Sequence, residues 1–329
     1  MRAAHLPTPL APILTVMLLI LALPGCASVS LFRDYSQPLR EFTLEGTAEP
    51  KVVLVTVRGT LQTGPDEDTF RERPGIIQET VSQLDKAAAD KSVRAVVLAV
   101  DSPGGTATAS EILYGELMAW KKKTKAKLVV CMLDVAASGG YYISLPADAI
   151  IAHPTTVTGS VGTIFIRPRV TGLMDKIGVN VDVTKSGAHK DMGSPFRQPS
   201  PEEAEMFNGI VRDLNSRFLS LVAKHRRLSD DNLRQVSTAR VFTAGQAKAV
   251  GLVDEIGDMD LAVTRARKLA GLPDNARLVV YRRNEYANDN PYNEMLTRAA
   301  SGRGLVDLGA AGDLLRRRAG FYYLWEPGY

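Results

Sequence analysis

Two cysteines in 329 residues are too few for a disulfide framework. Cys131 lies in the apolar run Leu128–Leu133, which makes it a buried, inert thiol rather than a nucleophile. His, Cys and Asp nowhere cluster at metal-ligand spacing, and there is no phosphate-loop motif, so neither a metal nor a nucleotide cofactor is expected. The formal net charge of +4 is small and scattered. The basic runs Lys121–Lys127 and Arg316–Arg318 read as solvated helix faces or membrane-surface contacts, and nucleic acid is not an expected partner. A spanning helix is missing too: the uncharged stretch Ala11–Leu23 offers about 13 apolar residues where roughly 20 are needed.

That length does suit the core of an export signal, with Arg2 ahead of it. The stretch closes on Leu23-Pro24-Gly25-Cys26, which resembles the lipobox of bacterial lipoproteins, whose cysteine is lipidated and becomes the mature N-terminus. An uncleaved signal anchor is the alternative, and either arrangement leaves the following domain on the same side of the membrane. Once Cys26 is acylated, Cys131 has no thiol to pair with, so stability must come from packing and assembly.

What the sequence has in quantity is buried strand. At 45% hydrophobic the chain can fill a sizeable core. The polar segment 27–50 reads as a tether, and structure is expected from Lys51. Val52–Val57 and Val93–Val100 are continuous apolar runs of the kind covered on both faces, and Ile76–Ala89 between them has helical periodicity. Strand, helix and strand in that order predict an α/β fold with parallel pairing. Leu128–Leu133 and Asp148–His153 continue the series, Val179–Thr184 alternates like a strand, and Pro201–Arg226 is a long amphipathic helix. The segment from Gly59 to Gly75 reads as an exposed loop. Beyond Tyr281 the order weakens, and the aromatic cluster Phe321–Trp325 is expected to pack on its own domain, with a neighbouring subunit or lipid headgroups as alternatives.

Two of these strands end in small residues leading into a helix. Asp101-Ser102-Pro103-Gly104-Gly105 precedes a helical stretch from Thr106, and frees backbone N–H groups as an anion nest. Ala137-Ser138-Gly139-Gly140 precedes Tyr141 and Tyr142, and holds the Ser138 hydroxyl out at a strand end. Parallel strands put both turns on one edge of the sheet, where a nucleophile and oxyanion donors can meet. Ser160 sits between glycines in Thr156–Thr163, and Lys190 lies in a loop of small residues, Ser186–Phe196. A free lysine, with a pKa of about 10.4, is no base at neutral pH, so a site using one must lower it by about 3 units. A hydroxyl such as that of Ser160 can then hold the neutral amine.

Taken together, Asp-Ser-Pro-Gly-Gly at 101–105, Ala-Ser-Gly-Gly-Tyr-Tyr at 137–142, Gly-Ser-Val-Gly at 159–162 and Ser-Gly-Ala-His-Lys-Asp with Ser-Pro-Phe at 186–196 resemble the signal peptide peptidase A family, also called protease IV. Arg-Val-Phe-Thr-Ala-Gly-Gln-Ala from 240 and Gly-Leu-Val-Asp-Glu-Ile-Gly from 251 are similar as well. The resemblance implies a Clp/crotonase-like spiral of ββα units and a Ser-Lys dyad. Ser138 would be the nucleophile, Lys190 the general base and Ser160 the group that orients it. The N–H groups of Gly104 or Gly105, with that of Gly139, would bind the oxyanion. It also implies a homo-oligomeric ring in which Lys190 comes from a neighbouring subunit, and as substrates cleaved signal peptides and other membrane-associated peptides. The expected organisation is a signal at 1–26, a tether at 27–50, a peptidase domain at 51–257 and a helical extension with aromatic tail at 258–329. The expected location is the bacterial cell envelope, with the domain on the periplasmic side. The lipobox departs from the family, whose members more often keep a transmembrane anchor. Three other readings are a Ser-His peptidase using His153 or His189, an acyl-CoA enzyme, which an export signal disfavours, and a non-catalytic membrane scaffold.

Overall fold

The computed structural model of the protein describes residues 37–68, 71–293 and 319–325; the signal stretch and Cys26 lie outside them. The chain opens with β1 (Arg40–Glu45) and β2 (Ala48–Arg58), then a short antiparallel pair, β3 (Asp66–Asp68) and β4 (Arg71–Arg73). Next come α1 (Ile76–Ala89), β5 (Val93–Ser102), β6 (Gly104–Thr106), α2 (Ala107–Thr124), β7 (Lys127–Ala137), α3 (Gly139–Ser144) and β8 (Ala149–Ala152). They are followed by β9 (Val157–Gly159), β10 (Ile164–Ile166), α4 (Thr171–Ile177), α5 (Pro201–Arg226) and α6 (Asp230–Val236). The remainder is β11 (Val241–Thr243), α7 (Ala244–Ala249), β12 (Glu255–Ile256), α8 (Met259–Leu269), β13 (Ala276–Arg282) and β14 (Gly320–Leu324).

The main sheet runs β1-β13-β2-β5-β7-β8-β12, with β9 and then β11 extending from the end of β7. Its centre is parallel, as predicted: β2 with β5, β5 with β7, β7 with β8. The continuous apolar runs are explained by cover on both faces. Val53, Val55, Val57, Val96, Leu98, Val100, Leu128 and Val130 share one core with Leu84 of α1 and Leu113 and Leu117 of α2. The alternate residues Val52, Leu54, Ala95, Val97, Ala99, Val129 and Cys131 share the other with Met259, Val263 and Ala266 of α8. Truncating a fully buried member such as Leu98 to alanine costs about 2 to 5 kcal/mol. Burial pushes the Cys131 thiol up to about 12, in keeping with an inert core residue.

Several boundaries differ from the sequence reading. Ordered strand begins at Arg40 rather than Lys51, because β1 pairs with β13 and Lys51 is tied to Glu41 at 2.9 Å and to Asp90 at 2.8 Å. β13 lies inside the main sheet, parallel to β2, and not in an outlying extension. The segment 59–75 is not wholly exposed, since Leu61 is fully buried and bridges to Gly105. Val179–Thr184 is not a strand: Val179, Val181 and Val183 are all exposed, and among the described residues no strand pairs with them. The aromatic segment does pack on its own chain, as β14.

Helix α5 spans the residues the periodicity predicts, and its start is dictated locally. Ser200 Oγ accepts from Glu203 N at 3.1 Å, Glu203 reaches back to Ser200 N at 3.0 Å, and Pro201 occupies the first turn. Among the described residues no helix is long and apolar enough to cross a membrane.

Candidate active site

Ser138 is the hinge between β7 and α3, with φ 52° and ψ −113°. A non-glycine residue adopts such a backbone only where its surroundings impose it, at a cost of about 1 to 3 kcal/mol. Its N–H donates to Gly159 O at 2.8 Å and its carbonyl accepts from Tyr142 N at 2.9 Å, so the turn is clamped from both sides. The side chain is 1% exposed, and the hydroxyl has no hydrogen-bond partner among the described residues. A buried, unpaired hydroxyl is costly for stability and useful for chemistry.

The glycine turn after β5 folds against it. Gly104 has φ 96°, and a methyl built on it would lie 2.6 Å from the Gly139 nitrogen. The two turns therefore touch, as the parallel register of β5 and β7 predicts. Asp101 fastens the strand ends by accepting from Val135 N at 3.2 Å. Ser102 Oγ donates to Gly59 O at 2.6 Å and accepts the Gly104 N–H at 3.1 Å. The sequence reading missed this role of Ser102, although the residue is part of the motif.

Ser160 arrives through β9. Gly159 pairs with Ala137, which sets Ser160 beside Ser138, and Ser160 is itself left-handed at φ 51° with its N–H on Arg240 O at 2.9 Å. Ser138, Ser160, Gly104, Gly105 and Gly139 are thus drawn to one end of the sheet.

Lys190 makes no bond to these residues within a single chain. It lies in a series of turns, exposed, and its amine has no hydrogen bond or ion pair among the described residues. Its loop is nonetheless held: Asp191 accepts from Lys185 at 2.7 Å and from Arg197 Nε at 2.8 Å, and Arg197 also donates to Glu203 at 2.9 Å. Arg197 holds the Glu203 carboxyl down to about 2 and that of Asp191 well below the usual range. Of the histidines, His153 shares a bond with Thr155 Oγ1 at 2.9 Å and His189 faces Glu202 at 3.6 Å, and neither touches Ser138 Oγ.

A buried hydroxyl forced out at a strand-to-helix turn, with a glycine turn packed against it, is the equipment of a serine-type hydrolase. Residues 120–273 match the sequence profile of Peptidase family S49. The chain is 36% identical over 255 residues to an Enterococcus faecium protein provisionally named signal peptide peptidase SppA, covering 77% of this chain and 72% of that one. It is 37% identical over 223 residues to Protease 4 of Salmonella typhi, covering 67% of this chain and 35% of the relative. It is also 32% identical over 207 residues to the chloroplastic Serine protease SPPA of Arabidopsis thaliana, covering 62% and 30%. The chain thus spans about a third of the two longer relatives. It belongs to the signal peptide peptidase A family and is a serine-type peptidase.

Proposed function

We propose that the protein is a membrane-anchored endopeptidase that degrades cleaved signal peptides and other membrane-associated peptides through a Ser138/Lys190 dyad. The observation that carries this is Ser138 itself: buried, left-handed, unpaired and in contact with the glycine turn. In the reaction Ser138 Oγ attacks the peptide carbonyl while its proton passes to the neutral Lys190 amine. The carbonyl electron pair moves onto oxygen. Collapse expels the amine half of the peptide, which takes the proton from Lys190, and leaves an acyl-enzyme that water hydrolyses by the same route. The oxyanion donors are the N–H groups of Gly104 or Gly105 with that of Gly139, each contributing about 3 to 4 kcal/mol to the transition state. Ser160 orients the lysine.

The lysine is supplied by a neighbouring subunit of a ring. Two observations support this: the unpaired Lys190, and the exposed apolar residues Leu173, Ile177, Val181, Val183 and Phe196 around its loop. The Clp/crotonase-like spiral, the lipid anchor at Cys26 and a periplasmic location in the bacterial envelope belong to the same reading.

The test is peptide hydrolysis measured against pH for wild type, Ser138→Ala and Lys190→Ala, with the oligomer sized in parallel. Both variants should be inactive alone. Mixed and reassembled, they should regain activity, because one chain contributes the serine and the other the lysine. Full activity in Lys190→Ala would sink the dyad, and inactivity of the mixture would put both groups in one chain. A scaffold would show no labelling by a serine-acylating probe that Ser138→Ala abolishes.

A further inference from the structure

The basic run that ends α2 meets the basic end of α5, and the proposed reaction uses neither. α2 closes on Lys121, Lys122 and Lys123 with Lys125 as its left-handed cap, and α5 closes on Lys224, His225 and Arg226 with Arg227 as its cap. The two helices are locked together here, Tyr114 Oη to His225 Nε2 at 2.9 Å and their rings edge to face at 5.7 Å. Each helix end favours cations through its unpaired carbonyls, so joining two such ends concentrates like charge. Burial, and after it the charges of Lys224, Lys121 and Arg226, lowers the His225 pKa, so all three cations act on one ring.

Only part of this charge is neutralised. Lys121 is 3.1 Å from Asp148 and donates to Pro146 O at 2.6 Å, and Arg226 pairs with Asp254 at 2.8 Å. Lys122, Lys123, Lys125, Lys224 and Arg227 are exposed and have no ion pair among the described residues. Glu116, earlier on α2, is a single carboxylate against these five, and the patch stays strongly positive. Beside the cations opens a pocket of about 520 Å³. Its apolar lining is Met118, Ala119, Pro146 and Ala147, and its remaining lining is Lys121, Lys122 and His225. The second ring nitrogen of His225 has no bond among the described residues.

Unpaired ammonium groups beside an apolar recess match the boundary of an anionic bilayer, where phosphates lie just above glycerol and the first methylenes. Single-stranded nucleic acid would ask for exposed rings to stack on, and the rings here are buried, Tyr114 at 7% exposed and Trp120 at 5%. We infer that the joined ends of α2 and α5 are a membrane-surface site for an anionic phospholipid headgroup, its phosphate held by Lys122 and Lys224 beside His225 and its glycerol end in the recess. Of the proposed function this uses only the anchor, and not the Ser138/Lys190 dyad. A tethered domain meets the bilayer at high local concentration, so a modest headgroup affinity is enough to hold this face down.

The test is flotation of a chain beginning at Gln37, since Gln37–Tyr329 is a compact unit of its own without the anchor. It should float with vesicles containing about one-third phosphatidylglycerol and not with phosphatidylcholine alone, and about 0.5 M salt should release it. Lys122→Glu combined with Lys224→Glu should weaken binding at least about tenfold. Ala119→Glu, which brings a carboxylate to the pocket from an exposed helix position, should weaken it as well. Lys248→Glu with Lys268→Glu makes the same change in net charge on α7 and α8, and should bind as the parent does. In the full chain reconstituted into the same two kinds of vesicle, amide exchange across 118–127 should be slower with phosphatidylglycerol present. Equal losses in the two double variants, equal binding to phosphatidylcholine, or release by about 10 mM inorganic phosphate at constant ionic strength would overturn the inference. The anchor fails separately, through a mature N-terminus that carries no lipid and a full chain that salt alone extracts, and that result leaves vesicle binding by the chain from Gln37 as it stands.

Discussion

The surroundings of Ser138 and those of Lys190 are built in opposite ways. Around Ser138 every constraint is internal: two parallel strands in register, a turn clamped at both ends, and glycines touching where any side chain would collide. Around Lys190 the backbone is a run of turns held by ion pairs, with apolar side chains facing outward. One half of the candidate site is therefore complete in a single folded chain. The other half is fixed in its local shape and lacks a surface to work against, which is what a part intended for a neighbour would look like.

The sharpest way to break this contrast is to remove the reacting groups. Ser138→Ala should lower peptide hydrolysis by about 10⁴-fold or more, and Lys190→Ala by a comparable factor, with thermal midpoints that do not fall. A Lys190→Ala protein that unfolds more easily would show that the exposed loop matters to the single chain after all.

Gly104→Ala probes the tight half. At φ 96°, with the Tyr323 oxygen 2.0 Å from the new methyl, it should cost about 2 to 4 kcal/mol in chemical denaturation and at least about a hundredfold in activity. Wild-type stability in this variant would mean that the turn is looser than its contacts indicate.

Arg197→Ala addresses the loose half. It frees Asp191 and Glu203, and hydrolysis should fall about tenfold through misplacement of the Lys190 loop. The Glu203 carboxyl is lowered to about 2 in the folded chain, so its contribution is present above the ordinary value near 4.5 and is lost as pH falls toward 2. Asp191 is held lower still, so acid titrations of wild type and Arg197→Ala should approach each other as pH falls through about 2 and meet only below it.

The smallest effect on activity belongs to Asp90→Asn, remote from both halves. Burial opposes ionisation there, but the bonds from Lys51 and Ser92 hold the carboxyl down to about 2. Losing them should cost about 1 kcal/mol near neutral pH, an amount that vanishes as wild-type Asp90 is itself protonated between about pH 4 and 2. Hydrolysis should be unchanged.

Much of the Ser138 half was legible in the linear chain. Apolar runs with β-branched residues marked the central strands, periodicity marked α1 and α5 to the residue, and small residues at two strand ends marked the turns. Less could be read of β1 and β13, because a strand at Arg40–Glu45 acquires meaning only through a partner more than 200 residues away. Val179–Thr184 misled for the converse reason: alternation states which side chains would share a face and says nothing of whether a sheet is there to receive them.

By itself the sequence determined what is local in origin: which segments are strands covered on both faces, where they must turn, and which residues can carry acyl-transfer chemistry, since spacing, side-chain volume and backbone freedom are properties of neighbours along the chain. Only the tertiary structure decided that Ser102 occupies the Gly104 N–H, that Lys190 faces outward and that β14 fills the space between β6 and β10. Those outcomes follow from contacts between distant segments, whose free energy depends on which surfaces remain unpaired once the rest of the chain has packed.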